Sequence, residues 1–158
     1  MNKREKSLNY TYEEALHKAA AYCSVAEKCV FDVQTKLESW GMVRQDSDKI
    51  ILQLKNDKFI DEKRFAEYYA KDKFRFNKWG KIKIGIMLQS KNIAKEQIQN
   101  ALETIDTTEY KNMLVTLLKQ KAKNINYKSD YEKRGKLFHF AQNRGFETKA
   151  IDTALKTL

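Results

Sequence analysis

Between Phe59 and Leu102 apolar residues recur with the spacing of helices rather than strands. Asp61 is placed to cap a helix whose inner stripe is Phe65, Ala66, Tyr69 and Ala70. A second helix follows Gly80 with Ile84, Met87 and Leu88 inward, and Asn92 is its left-handed stop, because asparagine tolerates a positive φ. A third, short helix carries Ile98, Ala101 and Leu102.

The same pattern occurs on either side. Leu37…Gly41-Met42, Leu88…Asn92-Ile93 and Ala141…Gly145-Phe146 each read as a helix end, a left-handed stop and an apolar residue, with the stops 51 and 53 residues apart. Each is followed by a small stripe: Ile50/Leu54, Ile98/Ala101/Leu102, then Ile151/Ala154/Leu155. A period this long with matching internal signals predicts a tandem helical array. The expected fold is all-α, three three-helix repeats over residues 10–56, 57–105 and 106–158, extended and curved.

Outside the middle repeat, Met1 to Asn9 is polar and expected to fray. Thr11 with Glu14 three residues on is a capping box for a first helix running to about Tyr22. Ser24 is placed as cap of a second, with Val30, Phe31, Val33 and Leu37 inward and an end near Trp40-Gly41. Asp46 or Ser47 caps a third, burying Ile50, Ile51 and Leu54, and Asn56-Asp57 closes the repeat. In the last repeat Thr107 or Thr108 caps a helix with Met113, Leu114, Leu117 and Leu118 inward, and Lys123–Ser129 is a break or turn. Asp130 restarts the helix, and Thr148 or Glu147 opens the final one.

Composition narrows the class. The chain has no proline and five glycines in 158 residues, consistent with helices throughout. Cys23 and Cys29 are too few for a disulfide framework and fit no metal spacing; on helices they are small core residues, suited to a reducing cytoplasm. No apolar segment follows the basic start, so no signal peptide is expected, and no run has the length of a membrane span. The expectation is a soluble, cytoplasmic monomer without cofactor or metal.

Charge adds the functional signal. The net charge is +10, yet residues 1–60 are nearly neutral and the excess falls in the later two repeats. No acid occurs between Asp72 and Glu96, a window holding Lys73, Arg75, Lys78, Lys81, Lys83, Lys91 and Lys95, and a second acid-free window, Tyr110 to Ser129, holds Lys111, Lys119, Lys121, Lys123 and Lys128; over Lys73 to Lys83 a merely solvating face would interleave acids. A further basic set is Lys133, Arg134, Lys136 and Arg144. These cations suit phosphate contact. Phe74, Phe76 and Trp79 lie among them, and at this spacing they read as core rather than as stacking platforms for bases. No phosphate loop accompanies Gly80 or Gly85, His17 and His139 lie in different repeats, and Glu13-Glu14 and Asp61-Glu62 sit where helix dipoles account for them. No enzyme signature emerges.

The run Asp61…Phe65-Ala66…Tyr69…Arg75…Gly80…Leu88…Lys91-Asn92-Ile93 resembles the central repeat of RecX, the regulator of the bacterial recombinase RecA. Lys133-Arg134…Lys136-Leu137…Asn143-Arg144-Gly145-Phe146…Ile151…Leu155 resembles that family's last repeat, and the likeness covers roughly Tyr12 to Leu158. It implies a non-enzymatic regulator of DNA repair, recombination and the SOS response. Such a protein binds the RecA–DNA filament and restrains its ATP hydrolysis and strand exchange, meeting single- or double-stranded DNA through the basic repeats. The candidate contacts are Arg75, Lys78, Lys81 and Lys83, then Lys133, Arg134, Lys136 and Arg144. The chain departs from the family at Ser24–Cys29, where arginines are common, which puts a nucleic-acid role for the first repeat in doubt; Asn92 replaces a usual glycine. The alternatives are a sequence-nonspecific DNA- or RNA-binding helical protein without a recombinase partner, and a scaffold for an acidic protein.

Overall fold

A computed structural model describes residues 9–158, so all but the last residue of the expected frayed start lie outside the described residues. The described residues form helices and no strand: α1 Tyr12–Val25, α2 Val30–Ser39, α3 Arg44–Asn56, α4 Glu62–Arg75, α5 Lys81–Ser90, α6 Lys95–Glu103, α7 Thr107–Ala122, α8 Asp130–Asn143 and α9 Thr148–Leu155. The fold is the all-α, three-helix-repeat class read from the sequence. Among the described residues two compact units are distinguishable: residues 9–65 with 91–93, and residues 66–90 with 94–158.

In the first unit, Thr11 caps α1 by accepting the Glu14 N–H at 3.2 Å, one half of the expected capping box. The helix continues to Val25, and Ser24 lies inside it, its hydroxyl donating to the Ala20 carbonyl at 2.9 Å. The cap of α2 is instead Cys29, whose N–H donates back to Asp32 at 3.4 Å. α3 also begins earlier than its polar residues suggest, at Arg44 after Val43, and Ser47 is fully buried within it. Ala15, Ala19, Cys23, Val33, Leu37, Ile50, Ile51, Leu54 and Ile60 make one core. Phe31, expected inward, is 40% exposed; the packed positions are Val33 and Leu37, which share a face at i, i+4 while Phe31 does not. Lys91 pairs with Asp32 at 2.6 Å and Arg64 with Glu27 at 2.7 Å.

Both cysteines are buried free thiols. Burial pushes Cys23 up from the usual 9.0 to about 11 and Cys29 to about 12. An acid whose pKa is higher folded than unfolded holds its proton longer in the fold. Its contribution is therefore full below pH 9 and disappears as pH rises through the folded values. Alkaline titration followed by circular dichroism should show the first unit losing stability from about pH 9, and a Cys23→Ala/Cys29→Ala pair should flatten that slope. An unchanged slope in the pair would refute the assignment.

In the second unit the core is Ala70 and Phe74 of α4, Ile84 and Leu88 of α5, Ala101 of α6, Tyr110, Leu114, Leu117 and Leu118 of α7, Leu137 and Ala141 of α8, Phe146, and Ile151 and Leu155 of α9. Asp61, at the chain position before α4, accepts the Arg64 N–H at 3.0 Å as expected. α7 is capped by Asp106, which accepts the Glu109 N–H at 2.8 Å, so Thr107 and Thr108 fall in its first turn. Ser129 caps α8 through the Glu132 N–H, and Glu147 precedes α9. The three stops all adopt positive φ: 76° at Gly41, 60° at Asn92 and 90° at Gly145. Lys58 (62°) and Lys78 (57°) join them, though nothing in a lysine signals it.

Candidate nucleic-acid interface

The first turn of α5 has backbone N–H groups with no partner inside the helix, and tertiary acceptors supply them. The N–H of Gly80 donates to the Arg144 carbonyl at 2.7 Å and that of Ile82 to the Gly145 carbonyl at 3.0 Å. The N–H of Lys81 donates to the Tyr110 hydroxyl at 3.0 Å, and this hydroxyl in turn donates to the Glu147 carboxylate. Burial, then the bond to Glu147, raises the Tyr110 pKa far above its usual value, so the phenol keeps the proton it donates. Segments 77–83 and 144–146 are thereby fixed against each other, more than sixty residues apart in sequence.

That contact assembles cations. Arg144 donates from Nη1 to the Asn77 carbonyl at 3.1 Å, with its guanidinium 5.3 Å from the Phe140 ring. Lys78 follows at its left-handed position. The Lys81 ammonium lies 4.9 Å from the Tyr110 ring and that of Lys83 4.6 Å from the Trp79 ring. All four residues are half-buried. Among the described residues none of the four forms an ion pair.

The other sequence candidates differ. Arg75 pairs with Glu109 at 3.2 Å, so an acid absent from its own sequence window reaches it from α7. On α8, Lys133 sits 5.2 Å from the Tyr127 ring, Arg134 approaches Asp152 at 3.9 Å, and Lys136 meets Glu132 at 3.1 Å and the Asn126 carbonyl at 2.6 Å. The Lys128 N–H and then Lys136 hold the Glu132 carboxyl below its ordinary value. Among the described residues no hydrogen bond, ion pair or ring contact joins these three to the first four. The contact of 77–83 with 144–146 therefore ties together Lys78, Lys81, Lys83 and Arg144, and the α8 set takes no part in its bonds.

Of the interleaved aromatics, only Phe74 is core. Phe76 is 79% exposed, and Trp79 is half-buried with the ammonium groups of Lys73 and Lys83 near its ring. Helical period distinguishes them: Phe74 lies four residues beyond buried Ala70, whereas Phe76 is two further on and turns away. Tyr110 and Glu147, which set the geometry, carry no sequence signal of that role. Among the described residues no cluster of His, Cys, Asp or Glu could hold a metal, and no helix is long and apolar enough to cross a membrane.

Comparison with known proteins finds the following likenesses. Residues 61–102 match the family model described as RecX, second three-helix domain. Regulatory protein RecX of Enterococcus faecalis is 26% identical over 148 residues, covering 94% of this chain and 56% of that protein. Its counterpart from Clostridium tetani is 30% identical over 135 residues, covering 84% of this chain and 60% of that protein. The chain thus spans little more than half the length of these curated relatives. The crystal structure of RecX from Lactobacillus salivarius superposes with a TM-score of 0.84 at 24% identity, over 93% of this chain and 96% of that one, a likeness of fold.

Proposed function

The chain belongs to the RecX family, and from that premise we propose that it is a non-enzymatic, cytoplasmic regulator of homologous recombination that binds the RecA–DNA filament. Bound there as a monomer, it slows ATP hydrolysis and strand exchange and so acts in DNA repair and the SOS response. The observation that supports this reading is the set Lys78, Lys81, Lys83 and Arg144, drawn from two distant segments onto one framework without a carboxylate partner. Cations held this way attract a polyanion by releasing its counterions, with no need to read its sequence. A basic surface that occupies DNA's place on a nucleoprotein filament competes with the incoming strand. Family kinship supplies the recombinase; charge supplies the phosphate contact.

The test has two parts. The ATPase rate of RecA on single-stranded DNA is measured with and without the protein, and the protein is titrated onto bare and RecA-coated DNA. The expected result is slower turnover and tighter binding to the coated strand. Equal binding with unchanged turnover would describe a plain nucleic-acid-binding helical protein and overturn the recombinase assignment.

A further inference from the structure

One face of α8 holds features that phosphate contact leaves unexplained. Tyr131, Gly135 and His139 recur at i, i+4 and i+8, and this face borders a cavity of 890 Å³ to which Lys121 of α7 also contributes. Tyr131 is 90% exposed, an aromatic ring one turn before the glycine with almost nothing packed on it. A Cβ built on Gly135 would meet nothing within 4 Å, and its φ is not positive. Neither close packing nor backbone conformation calls for glycine there, in the middle of a helix where it weakens the element. What the missing side chain provides is a bare patch of backbone beside a free ring.

The charges around the groove are cationic. Lys121 has no ion pair among the described residues, its ammonium lying 5.1 Å from the Phe140 ring, and Arg134 reaches Asp152 only at 3.9 Å. The one carboxylate on the lining, Glu132, is engaged by the Lys128 N–H and by Lys136. A flat ring with a phosphate attached matches this chemistry.

We propose that the α8 groove seats one unstacked base of a single-stranded polynucleotide, the base over Gly135 and against Tyr131, its phosphate on Arg134 and Lys121. A base inside a duplex has both faces covered and cannot enter, so the groove selects single strands. The inference rests on the reading of the chain as a DNA-binding protein and adds to it a preference for the unpaired form.

Fluorescence anisotropy with the full chain tests it, comparing a thymine oligonucleotide with an abasic strand of equal length and charge. The base-bearing strand should bind about tenfold more tightly. Gly135→Ala should raise the melting temperature by about 3 °C while abolishing that difference. A variant that is more stable yet binds bases less well separates a binding role from a structural one. Tyr131→Ala should abolish the difference too, and Tyr131→Phe should keep it. Equal binding of both strands, discrimination surviving Gly135→Ala, duplex matching single strand, or competition by dTMP at the strand's own concentration would each overturn the groove. Equal binding leaves the phosphate-contact reading standing; binding of neither strand removes both.

Discussion

Gly80→Ala is expected to destabilise the second compact unit by at least about 3 kcal/mol, lowering its melting temperature by about 10 °C. A methyl group at this position would lie 2.3 Å from both the carbonyl carbon and oxygen of Gly145 and 2.4 Å from the Phe146 nitrogen. All three are backbone atoms, so no rotamer change relieves the overlap. Separation would have to break the Gly80-to-Arg144 and Ile82-to-Gly145 hydrogen bonds and pull Lys81 from the Tyr110 hydroxyl. Each buried group left without a partner adds its own cost. Gly145→Ala meets the reciprocal problem, with its Cβ 2.3 Å from that of Lys83, and adds a φ of 90° that an L side chain rarely adopts. Gly85→Ala is the control: its nearest neighbours are side-chain atoms of Leu102 and Ile98 at 3.7 and 3.8 Å, so the helix should tolerate or gain from it. Thermal unfolding of the three variants decides the matter. If Gly80→Ala melts within about 2 °C of the native chain, the close approach is not what holds these segments.

What the sequence made legible was local. Gly41, Asn92 and Gly145 were readable as left-handed stops because the backbone requirement and the residue that meets it occupy one position. Thr11 was readable as a cap for the same reason. α2 hid its start because a cysteine stands where Ser, Thr, Asp or Asn is usual, and the nearby Ser24 offered a plausible but wrong alternative. α5 starts after Gly80 as its sequence suggests, but what satisfies its first N–H groups, a tyrosine hydroxyl and a carbonyl from beyond α8, is recorded by no local pattern.

The candidate interface divides in the same way. The basic window was legible as a lack of acids along the chain, but acids absent from a window still arrive through space, as Glu109 does at Arg75. Only contacts between distant segments reveal which cations meet a carboxylate. Charge is all that the sequence shows of Arg144, yet its guanidinium also donates to the Asn77 carbonyl, so it helps hold the turn that presents Lys78. Helical period carried on from buried Ala70 and Phe74 turns Phe76 outward.

The double reversal Lys81→Glu/Lys83→Glu is expected to weaken binding to bare DNA at least about tenfold and to reduce the slope of log affinity against log salt by about 2. Neither lysine gives up an ion pair when replaced, and each loses only the contact of its ammonium with an aromatic ring, so melting should shift little. The backbone N–H of Lys81, which bonds Tyr110, is retained by any side chain. Arg75→Ala should do far less to DNA affinity, because Glu109 already offsets that charge. Lys83 shares its segment with the Arg144–Gly145 contact, so the same variant should also relieve the RecA filament of its ATPase restraint if phosphate contact underlies both. Three outcomes then part cleanly. Loss of DNA affinity and of restraint together supports competition for the DNA site. Loss of DNA affinity with restraint intact would move the regulatory contact away from these cations. Unchanged DNA affinity and an unchanged salt slope would mean that the charge faces an acidic protein, and the nucleic-acid assignment of this surface would fall.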